Sequence, residues 1–256
     1  MTPEISNLSM LFLLVFILIP VSLSYFYSLG LSAQIIWSSF RGVSQLILIG
    51  FLLTYLFSLE PIYGIPLMLI SMIFIASYHA SKRGRGLSLI FPIVFCVITA
   101  IEVFVLIVWL GFNMIAFVPE SVIPMSGMVI GNSMIAIGLA LERMKSEFKE
   151  GREKILAALS LGAKPDQAAQ LFIKKIVKAA MIPNVDGLKT IGLVQLPGMM
   201  TGLILGGVAP VEAIRYQIVI SLSIFASVSL SAMLITVIFY RFFFNKNQQL
   251  IKFDEH

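Results

Sequence analysis

Few residues of this sequence could meet a polar solute inside apolar surroundings, and they fall in three places. Glu102 interrupts an apolar run, Asn132 follows Gly131, and Gln195 opens an interruption that continues through Pro197, Gly198, Met199 and Met200. A carboxylate at the centre of a bilayer is costly and usually faces a protein interior, so Glu102 is a candidate for a proton or a metal ion. Proline lacks an amide hydrogen. Pro197 therefore frees the carbonyl of Leu193, which in lipid needs protein, water or solute as its partner. Together Glu102, Asn132, Gln195, Pro197, Gly198, Met199 and Met200 read as a substrate pathway at one depth.

Each of these has a second reading. Glu102 could be protonated and bonded to neighbouring backbone, and Asn132 could join two helices. Gly192, Gly198, Gly202 and Gly206, with Gly127 and Gly131, have the small-x-x-x-small spacing of tight helix packing. Met125, Met128, Met134, Met199 and Met200 offer thioethers to a soft metal, but methionine is also a common packing filler. A harder metal ion prefers carboxylate and imidazole, yet His79 stands at the end of an apolar run and His256 is terminal. The residues therefore display no site for such an ion.

A different chemistry occupies residues 142–187, where nine of the eighteen basic residues lie. Ile155, Leu156, Leu159 and Phe148 can share one helical face, opposite Lys145, Lys149, Arg152 and Glu153. Gly162 suits a helix C-terminus and Pro165 suits the first turn of the next helix. The stretch Ala157, Ala158, Gly162, Ala163, Lys164, Pro165, Asp166, Gln167 is thus expected to form a rigid elbow between two helices. An ordinary connecting loop is the competing reading.

The elements that position these residues are set by composition. Hydrophobic residues make up 59% and charged residues 12%, with mean hydropathy +0.98. Such a chain is expected to be an all-α polytopic membrane protein, each span taking about 20 apolar residues. About seven spans are expected in one transmembrane domain, at 8–29, 42–59, 62–78, 89–110, 122–141, 188–207 and 211–240, with the cytoplasmic loop 142–187. Residues 32–41 have an amphipathic look ahead of the second span. The N-terminus lacks the basic region of a signal peptide, so the first apolar run is kept as a span. The net charge of +5 is no sign of nucleic acid binding, because the basic residues are sorted by membrane side. With the N-terminus outside and the C-terminus cytoplasmic, Arg215 alone among them falls outside. That sorting places the chain in the cell's inner (plasma) membrane, in contact with lipid. The lone Cys96 cannot form an intrachain disulfide and is expected to be a buried small hydrophobe. No Gly-x-x-x-x-Gly-Lys-[Ser/Thr] loop is present, so energy must come from a partner or an ion gradient, and no catalytic or cofactor site is expected here.

The pattern Ala157-Ala158-x-x-x-Gly162-Ala163-x-Pro165-x-Gln167-Ala168 resembles the loop by which permeases of ATP-binding-cassette transporters dock onto their ATPases. Leu156 stands where an acid usually precedes the alanines, and Ile182-Pro183 comes late, so the copy is divergent. A wider set of blocks covers nearly the whole chain. It comprises Arg41-Gly42-x-x-Gln45-Leu46; Ile123-Pro124-Met125-x-Gly127-Met128-x-x-Gly131-Asn132; Leu159-Ser160-Leu161-Gly162-Ala163-x-Pro165; and Ile182-Pro183-x-Val185-Asp186. It continues through Lys189-Thr190-x-Gly192-Leu193-Val194-x-Leu196-Pro197-Gly198-Met199-Met200-x-Gly202 to Tyr216-Gln217-Ile218. These blocks resemble the FetB family of permeases, which pair with the FetA ATPase in bacterial iron export and have plant relatives implicated in aluminium tolerance. The resemblance implies a permease homodimer with a FetA-like ABC ATPase that binds the ATP, and a metal as cargo. Export of a nucleotide sugar or small conjugate stays open. So do a secondary transporter using Glu102 as a proton site and a membrane scaffold.

Overall fold

A computed structural model describes residues 12–84, 89–194, 196–245 and 247–251. Gln195, the start of the first expected span, Arg85, Lys246, Lys252 and His256 lie outside the described residues. Among the described residues the chain is helical, with a single isolated bridge between Phe244 and Leu250. It divides into two compact units, Met1–Glu60 and Pro61–His256.

The first unit is a helical hairpin of α1 (Leu14–Phe26) and α2 (Ser32–Phe57). Its turn is fastened by Ser24, whose Oγ accepts from the Leu31 amide at 3.0 Å and from the Ser32 hydroxyl at 3.1 Å. No proline interrupts residues 32–57, so the expected amphipathic lead and the second span are one helix. Arg41, expected at the start of the second span, lies inside it.

The second unit is a bundle of α3 (Pro61–Arg83), α4 (Ile90–Gly111), α5 (Pro119–Glu150) and α9 (Pro210–Phe239), with α5 at its centre. Between α5 and α9 the chain forms α6 (Arg152–Ser160), α7 (Pro165–Thr190) and α8 (Gly198–Leu205). Buried apolar side chains such as Ile65, Ile98, Ile137 and Ile235 fill the bundle. Gly127 closes one contact, since a Cβ there would stand 2.8 Å from Met72 Cε. A Cβ added at Gly131, Gly198 or Gly202 would meet no other element within 4 Å among the described residues, so their small size closes no described helix contact. Trp109 is fully buried and its indole N–H donates to Ser223 Oγ at 2.8 Å, tying α4 to α9.

Among the described residues five helices are long and apolar enough to cross a membrane: α2, α3, α4, α5, and α9 with the 3₁₀ turn (Tyr240–Phe243) that follows it. The helix that holds the fifth expected span continues past Leu141 to Glu150, because no helix breaker occurs before Gly151. The sixth expected span, which the sequence already interrupts at Pro197-Gly198, is not one helix. Gly192 takes φ +78° and Pro197 disfavours helical geometry at Leu196, so α7 ends at Thr190 and only the eight residues of α8 follow. Cys96 is also exposed rather than buried, on the outer face of α4.

Candidate functional site: the elbow and the broken span

The elbow is built by backbone hydrogen bonds. Gly162 at φ +89° lets its own N–H reach the Leu159 carbonyl at 3.0 Å and the Ala163 N–H reach that of Ala158 at 3.0 Å. This is the Schellman closure, which satisfies carbonyls the helix end would leave bare. Two residues on, Pro165 starts α7, and Gln167 Oε1 accepts from the Lys164 amide at 3.0 Å, half of a capping box. The spacing of Ala158, Gly162, Ala163, Pro165 and Gln167 thus has a local cause, one helix stopped and another started within four residues.

Gly207 repeats the device. It takes φ +92°, its N–H bonds the Ile204 carbonyl at 3.0 Å, the Val208 N–H bonds that of Leu203 at 3.0 Å, and Pro210 starts α9. Gly162-x-x-Pro165 and Gly207-x-x-Pro210 therefore each join a short helix to a long one.

At the elbow Leu161 is 89% exposed. Apolar residues in polar loops are usually read as core, which is why sequence reasoning passed it over. Its place between the helix end and the left-handed glycine was the available signal. Ala157, Lys164, Asp166 and Gln167 are exposed beside it, while Ala158, Ala163 and Pro165 are half-buried.

Below this tip the elbow is bolted to the bundle. Ala168, Ala169, Phe172, Ile176 and Ala180 are buried where α7 packs on α5 and α9. Phe148 of α5 lies 6.1 Å from Phe172 and 4.5 Å from Phe243, centroid to centroid, and Lys175 Nζ is 3.6 Å from Glu147 Oε2. Gly151 is required there, since a Cβ would fall 2.1 Å from Phe172 Cε1. The chain beyond Phe243 folds back so that Phe244 bridges Leu250, and Arg152 donates to the Ile251 carbonyl at 3.3 Å.

The pairs Phe172–Phe148 and Lys175–Glu147 also set the register of α7 against α5. Beyond Ala180 no residue of α7 is buried, and the helix ends at Thr190. Pro197 caps α8, and Met199 and Met200 are half-buried where α8 packs on α9.

The other expected pathway residues are placed differently. Asn132 is half-buried and donates Nδ2 to the Met128 carbonyl of its own helix at 2.8 Å. Glu102 is 1% exposed and belongs to α4, which packs on α3, α5 and α9. Ser126 of α5 stands beside its carboxyl, short of hydrogen-bond geometry, and both carboxyl oxygens lack a partner among the described residues. Glu102 is thus enclosed away from the open break, and the structure does not bring the two together. No three His, Cys, Asp or Glu side chains cluster to hold a metal among the described residues.

Helices of this length and polarity, joined by a polar elbow, define a multi-pass α-helical membrane protein. Residues 7–244 match the family described as "Uncharacterised protein family (UPF0014)", and the chain belongs to it. It is 37% identical to the "Probable iron export permease protein FetB" of Escherichia coli, over 97% of this chain and 96% of the relative. The "UPF0014 membrane protein YjkA" of Bacillus subtilis is 37% identical over 95% and 97% of the two chains. The "Protein ALUMINUM SENSITIVE 3" of Arabidopsis thaliana is 35% identical over 93% and 87%. No solved structure matches.

Proposed function

We propose that this chain is the permease subunit of an ATP-driven exporter of iron or another metal ion. In this reading it works as a homodimer in the inner membrane, N-terminus outside and C-terminus cytoplasmic, with two FetA-like ABC ATPase subunits. The observation that carries the reading is the elbow: an apolar tip at Leu161, 89% exposed, on a turn whose following helix is packed onto α5 and α9. An exposed apolar side chain on a rigid turn is the kind of anchor that fills a partner's pocket. Movement there passes to α5 and α9 because α7 is buried against both. The likeness to a relative named as an iron export permease supports the cargo. The substrate path would run past the break at 191–197, with Asn132, Pro197, Gly198, Met199 and Met200 as its walls.

The test is capture of an ABC ATPase by the detergent-purified chain, followed by ATP-dependent metal flux in vesicles. Ala163→Arg should uncouple hydrolysis from transport while the spans stay folded; unchanged coupling would defeat the docking role. A second reading, proton-coupled transport through Glu102, is favoured by the enclosed carboxyl without a partner. It requires flux by this chain alone under a proton gradient without ATP.

A further inference from the structure

Among the described residues Glu102 is the one charged side chain that the bundle buries, at 1% exposed. The helices packed on α4 bring it no counter-charge. The ionisable His79, Lys82 and Arg83 stand at the end of α3, and Glu212 and Arg215 stand in the first two turns of α9. In α5, Glu120 lies in the first turn and the next charge is Glu142.

What stands near the carboxyl is hydroxyl oxygen. Ser126 of α5 is fully buried beside it, and Thr99 precedes it by one turn of α4, where i and i+3 side chains are neighbours. Hydroxyls inside helices commonly close on the carbonyl one turn back. Ser223, Ser227 and Thr236 of α9 do so at 2.8, 2.7 and 2.6 Å, and Ser81 of α3 does so at 2.6 Å. Thr99 Oγ1 and Ser126 Oγ make no such bond, and like both Glu102 oxygens they are enclosed without a hydrogen-bond partner among the described residues.

A buried acid needs a neutralising positive charge, which a proton or a metal ion can supply. A proton gives the carboxyl one donor and leaves its second oxygen and the Thr99 hydroxyl as they are. An ion draws several oxygens to itself at once. Its charge is limited by the same enclosure, because one carboxylate balances a monovalent ion and a divalent one would leave net charge inside the bundle. Carboxylate and hydroxyl oxygens are hard donors, which suit such an ion better than a soft metal.

We infer that Glu102, Ser126 and Thr99 hold a small monovalent cation, of the size of Na⁺, that ties α4 to α5 as a resident part of the bundle. It is not the cargo of the proposed transporter, since the carboxyl is enclosed within the helices. The inference is independent of the ATP-driven reading, and a proton in the ion's place is what the proton-coupled reading requires.

The experiment uses the full-length chain in detergent, without nucleotide or partner, in NaCl or in choline chloride of equal ionic strength. Binding of ²²Na⁺ is followed by scintillation proximity, and thermal unfolding is measured in parallel. The wild type is expected to bind ²²Na⁺ saturably, and its unfolding midpoint should rise with Na⁺ but not with choline, as a ligand of the folded state requires. Glu102→Gln should lose both the bound ²²Na⁺ and the Na⁺ dependence of the midpoint. Ser126→Ala and Thr99→Val should each weaken Na⁺ binding threefold or more, and these arms do not depend on how the Gln variant folds. No saturable binding by the wild type, undiminished binding by Glu102→Gln, or unchanged affinity in both hydroxyl variants would each overturn the inference. A midpoint that responds to pH and not to Na⁺ would assign a proton to the carboxyl and overturn it as well.

Discussion

Phe148 and Phe243 meet with ring centroids 4.5 Å apart, so the end of α5 and the turn after α9 share one aromatic contact beneath the elbow. Phe172 of α7 completes the cluster at 6.1 Å from Phe148. Phe148→Ala should cost about 3–5 kcal/mol, the usual range for a buried phenylalanine. The expected result is a lower unfolding midpoint in detergent, with weaker ATPase capture even though no elbow residue has changed. Phe148→Leu should recover most of the stability.

Leu161→Asp should behave in the opposite way. The side chain is 89% exposed, so the unfolding midpoint should not move, while ATPase capture should fall tenfold or more. A midpoint that drops with capture intact would show that Leu161 serves the fold.

Gly162→Ala and Gly207→Ala each force an alanine into the left-handed region, at φ +89° and +92°. Each should cost about 1–2 kcal/mol. The two joints share no packing, so the double variant should lose the sum of the singles. Only the first is expected to alter ATPase capture.

Ser223→Ala leaves the buried Trp109 indole N–H without its acceptor. That should destabilise the bundle by about 1–3 kcal/mol, and Ser223→Thr should restore part of it. Thermal unfolding of the three proteins side by side is the measurement.

Much of this was legible in the sequence because it rests on local rules. Gly162 and Pro165 announce a helix stop and start whatever surrounds them, and apolar runs of span length announce α3, α4 and α9. The joint after α7 was half-legible: Pro197 marked an interruption, but the left-handed turn at Gly192 that ends α7 at Thr190 shows only in the backbone. Arg41 stands at the start of the second expected span, and the amphipathic lead before it joins the same helix because no proline separates them. Cys96 was set inside by composition, yet which side of α4 it takes is decided by where α3, α5 and α9 lie.

The helix α7 has 26 residues and is therefore about 39 Å long. It carries Pro183 without being broken, begins at the elbow and ends at Thr190. In the proposed transporter a displacement applied beside Leu161 would travel to Thr190 along a single pushrod, with no relay of side chains in between.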